Sequence, residues 1–386
     1  MRVKPAKRTE SINEYYFSTK LREIDQLRRN GTDVINLGIG SPDMSPSEKT
    51  ISKLTSEAAR DGIHGYQGYM GIPALRTAFA SWYNKFFKVT LNPDNQILPL
   101  AGSKEGIMHI SMAFVNQGDE VLVPDPGYPT YSSATLLAGG VPVPYDLKED
   151  TGWLPDFAEL ERHDLSRVKI MWLNYPHMPT GTPATEKLLS DAIQFGLRNS
   201  ILICNDNPYS FILNTSYRSI LAVPGAFETA LELNSLSKSH NMAGWRIGML
   251  AGESGYISTV LKVKSNMDSG IFYPLQAAAA QALESGDEWF EKVNKVYMSR
   301  RSAAEEIMKA LGCKCNMNQS GMFLWGRLPS GITSSDEYSN MILHKAGVFI
   351  TPGFIFGKNG EGFMRISLCS PEETLVKALE RIKREF

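Results

Sequence analysis

From about residue 96 to residue 250 short apolar runs alternate with amphipathic stretches, and few architectures tolerate that rhythm. The runs fall at 97–101, 120–123, 168–173, 201–205, 229–233 and 245–251, and stretches such as 104–116 and 185–198 between them have helical spacing. Strands that alternate with helices build parallel sheets, because a parallel crossover needs a dozen or more residues and a helix supplies them. The expectation is an α/β unit with a mostly parallel sheet. Ahead of it, residues 14–29 read as a helix stopped at Asn30-Gly31, residues 34–37 as a short strand, and 47–60 and 72–88 as helices around a Gly- and Tyr-rich loop at 65–71. Behind it, residues 287–311 read as one long charged helix, and strands at 321–328, 347–350 and 363–368 then mix with helices. This change of rhythm predicts a large domain at 41–280 and a smaller α+β domain made from 1–40 with 281–386. With 386 residues, 42% of them hydrophobic, the chain can fill two cores.

Charge and cysteine content exclude several classes of function. Forty Lys and Arg against 41 Asp and Glu give a formal charge of −1, which offers no field for nucleic acid or an anionic membrane. The four cysteines are too few and too unevenly spaced for a disulfide framework. Cys313-Lys314-Cys315 lacks a second ligand pair nearby, so idle thiols are expected and no metal. Residues 1–13 are basic and polar without an apolar core, and no apolar run reaches membrane-spanning length, so a cytoplasmic protein is expected.

The chemistry concentrates at 235–248, Ser-Leu-Ser-Lys-Ser-His-Asn-Met-Ala-Gly-Trp-Arg-Ile-Gly. A single lysine in a Ser-rich loop is ordinarily a solvated charge. Here Lys238 follows Ser235 and Ser237 and precedes Arg246, and two hydroxyls with a guanidinium suit the oxygens of one phosphate. A lysine beside a phosphate suggests an imine to an aldehyde cofactor, and pyridoxal phosphate (PLP) carries both groups. The flanking apolar runs put this loop between two buried strands, at the edge of a sheet. Gly102-Ser103-Lys104 follows a strand and opens a helix, which makes a second phosphate cradle or a plain tight turn. Tyr128, held between Pro126 and Pro129, can stack on a flat ring or simply stiffen a turn. Asp206 ends an apolar strand and can pair with a pyridine nitrogen, with Tyr209 in reach of a ring oxygen; Asp-Asn-Pro is equally good turn chemistry. Arg365 sits inside an apolar strand and needs an anion, either an internal carboxylate or that of a substrate. The Gly353–Lys358 run is one residue short of a P-loop and lacks its Ser or Thr.

These residues resemble the class I aminotransferases of the aspartate aminotransferase type, PLP enzymes of fold type I. The matching segments run in the family's order: Leu37 to Asp43, Tyr66 with Gly71 and Leu75-Arg76, Ala101-Gly102-Ser103, Pro126 to Pro129, Pro179-Thr180-Gly181, Asp206 to Tyr209, Ser235 to Gly248, and Arg365-Ile366-Ser367. The resemblance implies a seven-stranded-type sheet, Lys238 as the Schiff-base lysine, and Ser235, Ser237 and Arg246 as phosphate ligands with the backbone at Gly102, Ser103 and Lys104. It further implies Tyr128 as the stacking aromatic, Asp206 as the pyridinium partner, Tyr209 as donor to the ring oxygen, and Arg365 with Gly40 as the site of the substrate carboxylate. Tyr66 would reach the phosphate of the neighbouring subunit in a homodimer.

One position departs from the family. Its usual Asn-Pro-Thr-Gly appears as His177-Met178-Pro179-Thr180-Gly181, so Met178 stands where an asparagine bonds the ring oxygen, and a thioether cannot donate that bond. Tyr209 would carry it, with Asn174 or His177 compensating. The implied reaction is amino-group transfer between an L-amino acid and a 2-oxo acid in two half-reactions. A PLP-dependent carbon–sulfur lyase shares most of the motifs, and a weakly catalytic binding or regulatory protein would explain Met178. Arg22 and Arg327 are the candidates for a distal-carboxylate site, and Tyr15 and Tyr16 for the cavity entrance.

Overall fold

The computed structural model describes residues 2–12, 14 and 16–386. Its centre is a seven-stranded sheet of β1 (Ile97–Leu100), β2 (Glu120–Asp125), β3 (Val141–Asp146), β4 (Val168–Leu173), β5 (Leu202–Asp206), β6 (Ala230–Ser235) and β7 (Gly248–Gly252), in the order β1-β7-β6-β5-β4-β2-β3. Only β7 runs against the others. Of the interior strands, β5, β6 and β7 are buried along their whole length, and β2 and β4 at every residue but Glu120 and Lys169, as a sheet covered by helices on both faces requires. Six of the strands coincide with the apolar runs. The seventh, β3, escapes that reading because it is Val-Pro-Val-Pro-Tyr-Asp, with prolines where a central strand would need N–H groups. It pairs on one side only, with β2, so the missing donors face away from the sheet.

A second sheet is antiparallel and four-stranded, in the order Thr351–Pro352, Phe363–Ser367, Phe323–Arg327, Lys314–Cys315. Ile35–Asn36 pairs in parallel with Val348–Phe349, bringing the N-terminal segment onto this smaller α+β part. The long helix Asp287–Ala310 runs beside it, and its Arg300 grips Asp43 through two bonds of 2.7 and 2.8 Å. That fork, with the Ser367 amide on the Leu37 carbonyl at 2.8 Å, fixes the 37–43 segment over the C-terminal ends of the parallel strands. Ligands bind at that edge of α/β sheets, where the loops diverge.

The short turn Leu236–Ser239 that carries Lys238 connects β6 to β7, two interior neighbours. It stands at the strand ends in the middle of the sheet, and the expected position at a sheet edge is corrected accordingly. The antiparallel β7 is the reason: a strand that returns beside its predecessor needs only a short connection. All four cysteines are free thiols. Among the described residues no helix is long and apolar enough to cross a membrane.

Candidate active site

A cavity of about 510 Å³ opens where the strand ends of the large sheet meet the 38–40 segment and the smaller sheet. It collects Gly40, Ser103, Lys104, Tyr128, Asn174, Asp206, Tyr209, Ser235, Ser237, Lys238, Arg246 and Arg365, which come from eight separate stretches of chain. Gly102 adjoins it through Arg246. Tyr66 does not line it: this side chain is 93% exposed on the 65–71 loop.

At one end, helix Ser103–Phe114 begins at Gly102 with no side-chain cap, and its N-terminal residues Ser103 and Lys104 line the cavity, so the positive end of the helix is turned to it. Gly102 has φ +88°, and a Cβ there would run into the Arg246 guanidinium, so only glycine admits both. Arg246 itself donates to the Ala101 carbonyl at 3.2 Å and the Ala243 carbonyl at 3.1 Å. Ser235 and Ser237 are buried beside it with their hydroxyls 2.8 Å apart. Helix N–H groups, hydroxyls and a guanidinium around one space make a phosphate-sized anion site.

At the other end lies Asp206, buried at the close of β5. Its Oδ2 accepts from the Tyr131 hydroxyl at 3.0 Å, whereas its Oδ1 is buried without a hydrogen bond. Burial drives the carboxyl up to about 7; the Tyr131 hydroxyl, and the Ser103 hydroxyl standing near it without a formed bond, pull the other way. An orphaned carboxylate oxygen in a dry site calls for a cationic donor, and a protonated ring nitrogen is one. Asn174 steadies this wall, donating to the Asp206 carbonyl at 2.6 Å and accepting from the Met178 amide at 3.0 Å. Tyr128 meets Tyr131 edge to face at 5.7 Å. The Tyr209 hydroxyl is pushed up by burial and by Asp206.

Between the two ends the Lys238 ammonium donates to the Gly40 carbonyl at 2.5 Å. Burial lowers its pKa, and Arg365 and Arg246 add to that, opposed by Cys369 and Asp206. A lowered pKa raises the share of neutral amine, the form that attacks carbonyls. Gly40 has no alternative residue either, since a Cβ would enter the Phe323 ring. Arg365 lies in the central pair of the smaller sheet, opposite Trp325. It donates to the Gly38 carbonyl at 2.8 Å and to the Met178 thioether at 3.2 Å. Its guanidinium carbon stands 3.9 Å from the Phe323 ring centre, 4.7 Å from Phe356 and 5.7 Å from Phe17.

Aminotransferase class I and II is the family whose model matches this chain, over residues 32–382. The LL-diaminopimelate aminotransferase of Natranaerobius thermophilus is 40% identical over 386 residues, covering all of both chains. The chain belongs to the class I and II aminotransferases. Its cofactor is therefore PLP, and the phosphate-sized anion site, the buried lysine and the orphaned Asp206 oxygen fit that molecule's three chemical features. Among solved structures, apo-BacF from Bacillus subtilis superposes with a TM-score of 0.95 at 31% identity, covering 100% of this chain and 98% of that one. A mutant of the Thermus thermophilus aspartate aminotransferase does so at 0.92 and 26%, over the full length of both. The fold is thus the fold type I aminotransferase fold.

Several residues of the aminotransferase cavity gave no signal in the sequence. Tyr131, Phe17, Phe323 and Phe356 all line it, and in sequence each reads as ordinary core. Conversely, Arg22 is exposed and paired with Glu14, and Arg327 stacks on Phe363 and pairs with Glu149 at 2.6 Å, so neither enters the cavity. His177 is buried against the Thr180 hydroxyl at 2.8 Å and does not line it, which leaves Asn174 beside Tyr209. Tyr16 packs on Phe17 and Phe354, away from the cavity, and Tyr15 lies outside the described residues. Glu105, His109 and Asp268 converge behind the phosphate end, but the Lys264 ammonium already sits on Asp268 at 2.5 Å and provides the positive charge there.

Proposed function

We propose that Lys238 is the amine that carries PLP and then moves the substrate's α-proton, in a ping-pong exchange of an amino group between an L-amino acid and a 2-oxo acid. The observation that carries this reading is the buried, pKa-lowered Lys238 amine in one cavity with the orphaned carboxylate of Asp206 and the guanidinium of Arg365. Bound PLP supplies an aldehyde for amines and a ring that accepts electrons. The protein's own residues do the remainder. Ser235, Ser237, Arg246 and the amides after Gly102 hold the phosphate, and Tyr128 covers the ring face. Asp206 keeps the ring nitrogen protonated, and Tyr209 and Asn174 stand on the ring-oxygen side. Arg365, with the Gly40 backbone, orients the substrate carboxylate, so that the α-hydrogen faces Lys238 Nζ. With PLP bound, the Lys238 amine would take up the substrate's α-proton at Nζ and hold it for return, the work of a positioned acid–base group.

Borohydride reduction of the yellow protein followed by peptide mapping is expected to leave the added mass on the peptide holding Lys238. Label on any other lysine would refute the assignment. Ammonia and pyruvate released without an oxo acid would instead mark a lyase.

The proposal includes a division into residues 41–280 and residues 1–40 with 281–386, supported by the pairing of Ile35–Asn36 with Val348–Phe349. It also includes a homodimer in which Tyr66 serves the partner's phosphate site, supported by the exposure of the Tyr66 side chain on the 65–71 loop. Sedimentation equilibrium should give twice the chain mass. A monomer that retains full activity would remove the role of Tyr66. The named relatives act on LL-diaminopimelate, which is accordingly one of the amino donors to compare.

A further inference from the structure

The cavity has more room and a different character than a phosphate, a ring and an α-carboxylate require. Its charged lining groups are Lys104, Lys238, Arg246, Asp206 and Arg365 among the described residues; the proposed function uses the side chains of the last four, and Lys104 stands at the phosphate end on helix Ser103–Phe114. What remains around Arg365 is Phe17, Ile39, Met178, Phe323 and Phe356. Three of these rings face the guanidinium within 3.9 to 5.7 Å, so the carboxylate site is walled by apolar carbon.

We infer that the donor side chain this enzyme prefers is uncharged and apolar, aromatic or long aliphatic, rather than a second carboxylate or a distal zwitterion. The inference rests on the proposed function above and adds the substrate class. A distal carboxylate brought into this wall would be desolvated without a partner, and a distal ammonium likewise, and burying either unpaired is unfavourable. A phenyl or isobutyl group loses nothing there and gains contact with the rings.

Two further observations extend the argument. Arg22 and Arg327, the other arginines that the sequence offers, are tied to Glu14 and Glu149 outside the cavity. The two exposed aromatic segments, 61–75 with Tyr66 and Tyr69 and 265–286 with Phe272, contain no Lys or Arg. A second subunit that reached the cavity through either would bring rings, with His64 as the one ionisable base among them. Met178 fits the same wall. Its thioether is a weak acceptor for Arg365, readily displaced by a substrate carboxylate, and afterwards it presents only apolar surface.

The test uses the wild-type PLP-loaded protein and no oxo acid. Phenylalanine, leucine, aspartate and LL-diaminopimelate are each mixed with it, and the rate at which the visible band bleaches is read against donor concentration. Phenylalanine or leucine should exceed aspartate and LL-diaminopimelate by at least about tenfold, the discrimination available when a charged group must enter an apolar pocket. In parallel, 3-phenylpropionate and glutarate, which have no amino group to transfer, are titrated as competitors, and 3-phenylpropionate should bind about tenfold tighter or better. Equal or faster bleaching by aspartate or LL-diaminopimelate, or tighter binding of glutarate, overturns the substrate class and leaves the mechanism standing. If no amino acid bleaches the band, the proposed function falls and the substrate class falls with it.

Discussion

Lys238→Ala is expected to lower the rate of amino-group transfer by about 10⁴-fold, the upper end of what one positioned acid–base group contributes. The size follows from the site. Lys238 is the only lysine besides Lys104 that lines the cavity among the described residues, and Lys104 lies at the phosphate end on helix Ser103–Phe114. Burial lowers the pKa of the Lys238 amine and so raises its share of the neutral, reactive form. The variant should still take up PLP through its phosphate ligands but lack the parent's visible band, because the amine that reacts with the aldehyde is gone. Added methylamine should restore part of the rate if the loss is of an amine rather than of structure. Turnover at the parent rate in single-turnover bleaching would end the assignment, and an unchanged melting temperature would show that the fold survives.

Asp206→Ala is expected to cost about 3–5 kcal/mol of catalysis, the range found when one partner of a buried charge pair is removed, or roughly 10²–10⁴-fold in rate. The same carboxyl makes a separate, pH-dependent prediction for the PLP-free protein. Its pKa in the fold, about 7, lies above the ordinary 3.8 because burial penalises the charge. A raised acid favours the folded state while protonated, so its contribution is fully present below about pH 4 and is lost as pH rises through about 7. The difference of roughly three pH units corresponds to about 4 kcal/mol. PLP-free Asp206→Asn, which never ionises, should therefore gain melting temperature relative to the parent between about pH 5 and about pH 8. With PLP bound the order should reverse, since a cationic ring nitrogen rewards the charged carboxylate. A difference between the two proteins that stays flat with pH in both states would mean that Asp206 does not titrate in this range.

Much of this was legible in the sequence wherever function is carried by contiguous residues. The 235–248 segment holds the lysine, two hydroxyls and a guanidinium within fourteen positions, and all four reach one cavity. The strand-then-turn pattern before Gly102, Tyr128 and Asp206 was legible too, because apolar runs mark where strands end. What stayed hidden depends on long-range packing. Phe17, Phe323 and Phe356 lie far apart in the chain and meet only around Arg365. A phenylalanine facing a cavity and one facing a core have the same periodicity, so no local signal separates them. Tyr131 was missed for a related reason: its hydroxyl finds Asp206 across the sheet, 75 residues away in sequence. The edge strand β3 went unread because its prolines break the apolar run, and the interior position of Lys238 was misread because strand direction is not legible without knowing which strands are neighbours.

The prolines at the margins of the large sheet also bear on how copies of this enzyme can meet. Pro142 and Pro144 interrupt the N–H row of β3 at one margin, and Pro99 interrupts that of β1 at the other. Neither margin can act as a template on which a stray strand would zip up, the route by which open sheets seed fibrous aggregates. Contact between copies at the large sheet is thereby left to side chains, which keeps a crowded, newly made population of chains from adding strand to strand along its margins.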